Sequence, residues 1–365
     1  MRVLFYLGDH QWSGSARAAL AAASGLASRG HAVTVACCPG SRLARAANAA
    51  DLDTIEVGAS ALPLGDTYDL RNVLRDRFIE VAIVGSERDH LVIGSAMRFA
   101  ERGGVLRRMS AFEPIELRRG GKLALRLAAS GLVLSTEQEL KAFKASGWTI
   151  PPASAPIGID AADYDAIEPA AKAQFGLQSQ SLLIACAYDP SGRHRLATVF
   201  RTLALLAPRH VNVHAAIFGP GSDSDELRIH ASSLGVGPVV TFLGEDADQR
   251  GVMRAASAGW VVSDRDDGAY ACLDFMALRV PVIAEGSPLT QHYIDNGSTG
   301  LLLAHADPAY TASRVAAFLT TEERRVAMGH AGRTRVQREF DHVSMIDGFE
   351  RAITAAVDRS KWTLR

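Results

Sequence analysis

Short apolar runs separated by stretches of helical periodicity dominate the chain. Val3–Leu7 is the first run, GDHQWSGSA follows it, and a long helix is predicted from about Ala16 to Ser28. Arg29-Gly30-His31 closes that helix and Val33–Cys37 forms the next run. The pattern repeats, with strands predicted at Thr54–Val57, Val81–Gly85, Gly104–Arg107 and Gly131–Ser135 and helices near Tyr68–Arg77, His90–Glu101, Glu116–Ala129 and Glu137–Ser146. Apolar runs of this kind fit strands buried on both faces, and their alternation with helices argues for a mainly parallel, doubly wound sheet.

Pro151, Pro152 and Pro156 punctuate the chain as a linker, so the first domain ends near Trp148. A second alternating series then begins. Strands are predicted at Leu182–Cys186, Val211–Phe218, Val239–Leu243, Gly259–Val262, Val280–Ala284 and Leu301–Ala304, with helices near Leu196–Ala207, Ser224–Leu234 and Gln249–Ala256. The remainder is helical, ending in an amphipathic helix from Ile346 to Val357.

The stretch SDRDDGAYACLDFMALRVPVIAE, Ser263–Glu285, carries the most chemistry. It predicts a polar, glycine-containing loop, a helix from about Tyr270 to Leu278 and a buried strand. A helix that starts after such a loop presents unpaired backbone N–H groups and the positive end of its dipole, a natural phosphate seat. Asp266 in the loop and Asp274 on the helix flank it, and carboxylates accept hydrogen bonds from hydroxyls. A phosphate seat between two such carboxylates suits a sugar nucleotide; a solvated acidic loop is the competing reading. Ser13 and Gly14 stand at an equivalent strand-to-helix turn, where backbone can approach a ligand.

Bulk properties narrow this picture. The chain has 365 residues, enough for two domains, and its net charge of −1 gives no general reason to expect nucleic acid. No apolar run approaches a membrane span, and MRVLFYLGDHQW lacks the h-region of a signal peptide, so a cytoplasmic location is expected. Cys37, Cys38, Cys186 and Cys272 have no metal or redox spacing and are expected as small core residues. Between Arg98 and Arg126 basic residues outnumber acidic ones, and ELRRGGKLALRLAASG can be drawn as a basic amphipathic helix. That helix would suit peripheral contact with an anionic membrane or a phosphorylated acceptor; a solvated face packing its leucines on the sheet is the favoured alternative. Asp264-Arg265-Asp266 has the form of a metal-binding Asp-x-Asp, but two carboxylates alone rarely specify a metal site, and no metal is expected.

Several motifs stand in one order: SGSARAALAAASGLASRGHAVTV, LSTEQELKAF with APIGIDAADY, AAIFGPGSDSDELRIHASSLGVGPVVTFLGE, SDRDDGAYACLDFMALRVPVIAEG, and DNGSTGLLL with GHAGRTRVQREF. Together they resemble glycosyltransferase family 4, the retaining glycosyltransferases of GT-B fold. The resemblance implies two Rossmann-like domains facing across a cleft: residues 1–160 on the acceptor side, 161–345 holding the donor, and a helix in 346–365 crossing back to the first domain. It implies that Asp266 meets the transferred sugar, Asp274 the ribose, and the backbone after Gly268, at Ala269 and Tyr270, the diphosphate. Gly219, Gly221 and Leu243 would line the donor side together with Ser13 and Gly14. His10, Arg107, Arg108 and Ser110 would lie on the acceptor side.

This chain departs from the family in named places. Both family glutamates are aspartates, each shorter by one methylene, and Asp264 and Asp267 compete with Asp266 for the first of the two places. The Arg and Lys that neutralise the departing diphosphate fall by spacing on Asp189 and His194, with Arg193 and Arg195 beside them to supply charge. Ser110 stands about where many relatives have a histidine. The resemblance thus implies transfer of a hexose from a nucleoside-diphosphate sugar to a hydroxyl on a sugar or lipid-linked acceptor, with retention, no nucleic acid and no required cofactor. A catalytically silent nucleotide-sugar-binding or partner protein, or an epimerase or hydrolase on the same fold, is the alternative.

Overall fold

The computed structural model describes residues 1–57, 63–101, 103–113, 129–147, 150–209, 211–245, 248–304 and 307–363. The helix expected at Glu116–Ala129, with the basic stretch Arg118–Arg126, lies outside the described residues apart from its last position. Two units emerge: Met1–Gly158 with His342–Arg365, and Ile159–Asp341. Each is a parallel sheet wrapped by helices, a Rossmann-like α/β layer structure.

The first unit contains β1 (Arg2–Leu7), α1 (Gly14–Ser28), β2 (Ala32–Cys37), α2 (Arg42–Ala49), β3 (Asp53–Glu56), α3 (Pro63–Asp76), β4 (Val81–Val84), α4 (Glu87–Ala100), β5 (Gly104–Arg108), β6 (Ala129–Leu134), α5 (Glu137–Ala145) and β7 (Pro152–Ser154). Its strand order is β3-β2-β1-β4-β5-β6-β7, and every pairing is parallel. Helix α2 and strand β7 are additions to the sequence expectation. Pro151 and Pro152 mark the linker, yet Pro152 sits on the edge strand β7, where a residue without an N–H is tolerated. Ser13, Ser41, Ser86 and Thr136 cap α1, α2, α4 and α5 by accepting a backbone N–H three residues on. Each such cap contributes about 1 kcal/mol.

The second unit contains β8 (Leu182–Tyr188), α6 (Arg193–Leu206), β9 (Val213–Phe218), α7 (Asp225–Ser233), β10 (Val240–Gly244), α8 (Gln249–Ala255), β11 (Ala258–Val262), α9 (Arg265–Ala277), β12 (Val282–Glu285), α10 (Pro288–Tyr293), β13 (Gly300–Leu303), α11 (Pro308–Thr320) and α12 (Glu322–Glu339). The strand order is β10-β9-β8-β11-β12-β13. In both sheets the order reverses direction once, between β1 and β4 and between β8 and β11. Ligands of open parallel sheets bind outside the carboxyl ends of the strands at such reversal points.

The last helix, α13 (His342–Thr363), belongs to the first unit. Its Met345, Ile346, Phe349, Ala352, Ile353, Ala356 and Val357 repeat at helical spacing and join the core formed by α1 and strands β1, β2 and β4 to β6. Ion pairs line its edge: Arg29 reaches Asp347 at 2.6 Å and Glu350 at 2.7 Å, and His31 Nε2 lies 3.0 Å from Glu350. The Phe349 ring is fully buried, 6.2 Å from that of Phe5. Truncation to alanine leaves a large cavity, so Phe349→Ala should cost the first unit about 3–5 kcal/mol, read as an earlier unfolding transition in urea.

Candidate functional site

At the reversal point of the second sheet, two connections leave neighbouring strands. One follows β8: Asp189 accepts the N–H of Ser191 at 2.8 Å, closing a short 3₁₀ turn from which α6 starts at Arg193. The other follows β11: Ser263 and Asp264 lead straight into α9. The sequence expectation had the helix beginning near Tyr270, with Asp266 in a loop. The structure corrects this: α9 begins at Arg265, and Asp266 lies in its first turn, 1% exposed. The helix continues unbroken through Gly268, and the close approach of the Ser263 carbonyl requires a glycine there. A Cβ there would lie 2.6 Å from the Ser263 carbonyl oxygen.

This early start moves the unpaired N–H groups of the helix start away from Ala269 and Tyr270. Ala269 and Tyr270 lie beyond the first turn, where helical geometry pairs each N–H with the carbonyl four residues back. The positive end of the dipole falls instead on Arg265, Asp266 and Asp267. From Gly268 to Ala277 the helix is buried at every position, so it is a central element rather than a surface one. Asp274 is 6% exposed and its Oδ1 accepts the hydroxyl of Tyr164, which is itself buried and carries the Arg250 guanidinium over its ring at 4.9 Å. Nothing in the local sequence pointed to Tyr164, because it comes from the linker segment more than a hundred residues away.

The three basic residues expected on a loop lie in the first turn of α6. Arg193, His194 and Arg195 thus sit at the positive end of a helix that has no acidic residue in its first turn. Cations there are disfavoured by about 0.3–1 kcal/mol each, so their charge is compensated from outside the helix. Arg195 Nη1 lies 2.7 Å from Asp264 Oδ1, joining the two connections at the reversal point, and its Nε lies 4.0 Å from Glu285 Oε2. Arg193 pairs with Glu226 on the surface, where an ion pair contributes little. His194 is exposed.

The glycines further along serve the sheet. Gly219 has a positive φ of 117°, and a Cβ there would lie 2.1 Å from the Tyr188 carbonyl oxygen, so it lets β9 end against β8. Its N–H bonds Gly244 O at 3.1 Å, and Gly244 N–H bonds Ser222 Oγ at 3.1 Å. Gly221 faces open space, and Leu243 is half-buried in β10.

In the first unit, Ser13 spends its hydroxyl oxygen on the α1 cap, 3.3 Å from the N–H of Ala16, and Gly14 is the buried first residue of that helix. His10 is exposed, and Ser110 Oγ lies 3.2 Å from Ser15 Oγ. Arg107 and Arg108 lie buried on β5, 7% and 4% exposed. Arg108 reaches Ser135 Oγ at 3.4 Å. Asp89 and His90, absent from the sequence candidates, occupy the first turn of α4 at this unit's own reversal point. Gly8 N–H donates to Asp89 Oδ1 at 3.3 Å, bridging the connections after β1 and β4. Burial holds the Asp89 carboxyl above the usual carboxylate range. His90 is fully buried, and burial followed by the nearby Arg107 charge lowers its pKa to about 4. All four cysteines are buried free thiols. Among the described residues no group of three or more His, Cys, Asp or Glu side chains is placed to hold a metal ion, and no helix is long and apolar enough to cross a membrane.

Comparison with known proteins assigns the second unit. Residues 172–335 match the family described as Glycosyl transferases group 1. Within curated proteins, a D-inositol 3-phosphate glycosyltransferase of Corynebacterium kroppenstedtii is 32% identical over 133 residues, 34% of this chain and 28% of the relative. The lipopolysaccharide core biosynthesis glycosyltransferase LpsE of Rhizobium meliloti is 23% identical over 150 residues, 41% of this chain and 44% of the relative. The matches therefore span under half the length of these relatives. Among solved structures, HepE of Anabaena in complex with UDP and glucose aligns with a TM-score of 0.80 over 97% of this chain and 100% of that one, at 15% identity. WaaG, a glycosyltransferase involved in lipopolysaccharide biosynthesis, aligns with a TM-score of 0.69 over 96% and 99% of the two chains, at 17% identity. At such identities the likeness is one of fold, and the fold is that of the GT-B glycosyltransferases.

The buried neutral imidazole has a consequence for stability. His90 has a folded pKa of about 4 against an ordinary 6.5, so between these values the unfolded chain binds the extra proton. Stability is then full above about pH 6.5 and is lost as pH falls towards 4, by up to roughly 3 kcal/mol. Denaturation midpoints measured from pH 7 to pH 4 should fall for the unmodified chain, with a shallower slope in His90→Gln.

Proposed function

We propose that the chain transfers a hexose from a nucleoside-diphosphate sugar to a hydroxyl of a sugar or lipid-linked acceptor, with retention of configuration. The observation that carries this reading is the coincidence of the Glycosyl transferases group 1 match with the unit whose reversal point joins Arg195 to the start of α9. The names of the curated relatives and the UDP and glucose bound by HepE support it. The first unit then serves the acceptor, and the second the donor.

In this mechanism the protein's principal task is to hold a leaving diphosphate. Arg195 and the N-terminal turn of α9 supply fixed positive charge where negative charge develops, a preorganised form of stabilisation that needs no proton transfer by the protein. Asp264 orients the guanidinium and must share or release it when the diphosphate arrives. Asp266 faces the sugar and Asp274 the ribose hydroxyls in this reading. Their shorter side chains set the carboxylates back by about an ångström, a displacement that can be costly in catalysis. No metal is required, because arginine and the helix dipole provide the neutralising charge.

A second reading is favoured by the ion pairs: a catalytically silent nucleotide-sugar-binding protein. Both arginines at the start of α6 are paired within the protein, and Asp274 already accepts the Tyr164 hydroxyl. An epimerase or hydrolase on the same fold is a third. Thermal-shift screening against uridine, guanosine and adenosine diphosphate sugars, followed by product analysis with and without acceptors, separates them. Transfer that needs an acceptor supports the main proposal. Binding without turnover selects the silent protein, and turnover without acceptor selects the third reading.

For an active transferase, Arg195→Ala should lower kcat by about a hundredfold, the scale of removing one transition-state donor. Asp274→Ala should raise the donor Kd. Unchanged kinetics in the first variant, or unchanged affinity in the second, would remove the corresponding role.

A further inference from the structure

The first unit holds two buried nitrogen-bearing side chains, Arg107 and His90, with polar atoms that its own fold leaves unused. Arg107 lies level with Val84, the last residue of β4, in the parallel β4–β5 register. Val105, two positions earlier, packs in the apolar cluster beneath α3 and α4, so Arg107 is directed to the same face of the sheet. There it meets the first turn of α4, capped by Ser86, where His90 is completely buried. Among the described residues neither ring nitrogen of His90 has a hydrogen-bond partner, and neither do Nε and Nη1 of Arg107. Glu87, Asp89 and Glu113 act on the guanidinium electrostatically, but none is bonded to those two atoms.

Buried polar groups are almost always hydrogen-bonded, and a guanidinium keeps its charge when buried. Four unpartnered nitrogens on two buried side chains, close enough for the charge of one to act on the other, at a sheet reversal point are therefore a ligand's worth of unmet hydrogen bonding. The chemistry that meets it is an oxyanion. A guanidinium offers N–H donors in the fixed fork that matches phosphate and carboxylate, a neutral imidazole adds one N–H, and the positive end of α4 favours negative charge.

We infer that Arg107 and His90 form an oxyanion seat in the first unit, which takes the phosphate ester or carboxylate of a ligand. Identifying that ligand as the acceptor rests on the glycosyl-transfer reading; the seat itself does not. An anionic acceptor would be held by its charged group here, leaving its hydroxyl for reaction.

The test uses the full chain with inorganic phosphate and acetate as probes, at constant ionic strength set with chloride. The expected result is a saturable rise in Tm with phosphate, and a shift of the His90 ring ¹⁵N signals, assigned by their loss in His90→Gln. Arg107→Gln should weaken phosphate binding at least tenfold, while Arg98→Gln, on the exposed face of α4, should leave it unchanged. Saturation by acetate as well as phosphate assigns a carboxylate-compatible seat, and by phosphate alone a phosphate-ester seat. If Arg107→Gln does not fold, the ¹⁵N shift in the unmodified protein decides. An unmoved His90 signal overturns the inference. So does binding that survives in Arg107→Gln but disappears in Arg195→Ala, which would belong to the second unit. None of these readouts depends on donor turnover, so failure of the transferase reading leaves them intact.

Discussion

Helix α9 is buried at every position from Gly268 to Ala277 and yet carries Asp274 there, with a second buried carboxylate, Asp266, in its first turn. That one constraint governs the second unit. A buried carboxylate is tolerated only with partners, and for Asp274 the fold supplies one from a distant segment, the hydroxyl of Tyr164, while Arg195 from α6 bonds the part-exposed Asp264 at the cap position. The helix can begin as early as Arg265 because Gly268 admits the Ser263 carbonyl at a distance no side chain would allow. The site is thus assembled around a rigid element, not on a mobile loop.

The same geometry explains why cations gather where a helix dipole disfavours them. Arg193, His194 and Arg195 open α6 without an acidic residue in its first turn, and each arginine finds its carboxylate on another element, α7 for Arg193 and the start of α9 for Arg195. In both units a carboxylate joins the two connections at the reversal point. In the first, Asp89 bridges the connections at the reversal point while Arg107 and His90 lie buried beside it.

Legibility differed between fold and site for a physical reason. Parallel strands buried on both faces need uninterrupted apolar runs, so Val3–Leu7, Val81–Val84, Leu182–Cys186 and Gly259–Val262 were readable locally. The missed elements, α2, β7 and α10, are short, and β7 begins with Pro152, which local rules read as a linker. For the site, Asp266, Asp274 and Arg195 were legible as residue types at a strand-to-helix turn. Tyr164, His90 and the partnering of Asp264 were not, because each depends on a contact between segments far apart in the chain.

By itself, the sequence determined the two α/β units and their strand-rich cores, and it singled out the stretch from Ser263 to Glu285 as the candidate centre of chemistry, since hydrophobic period and turn residues act over a few positions. Only the tertiary structure decided where α9 begins, which of the three neighbouring aspartates holds Arg195, and that Arg107 and His90 are interior rather than surface groups. Those outcomes depend on which strands lie side by side, and strand order is set by packing across the whole sheet.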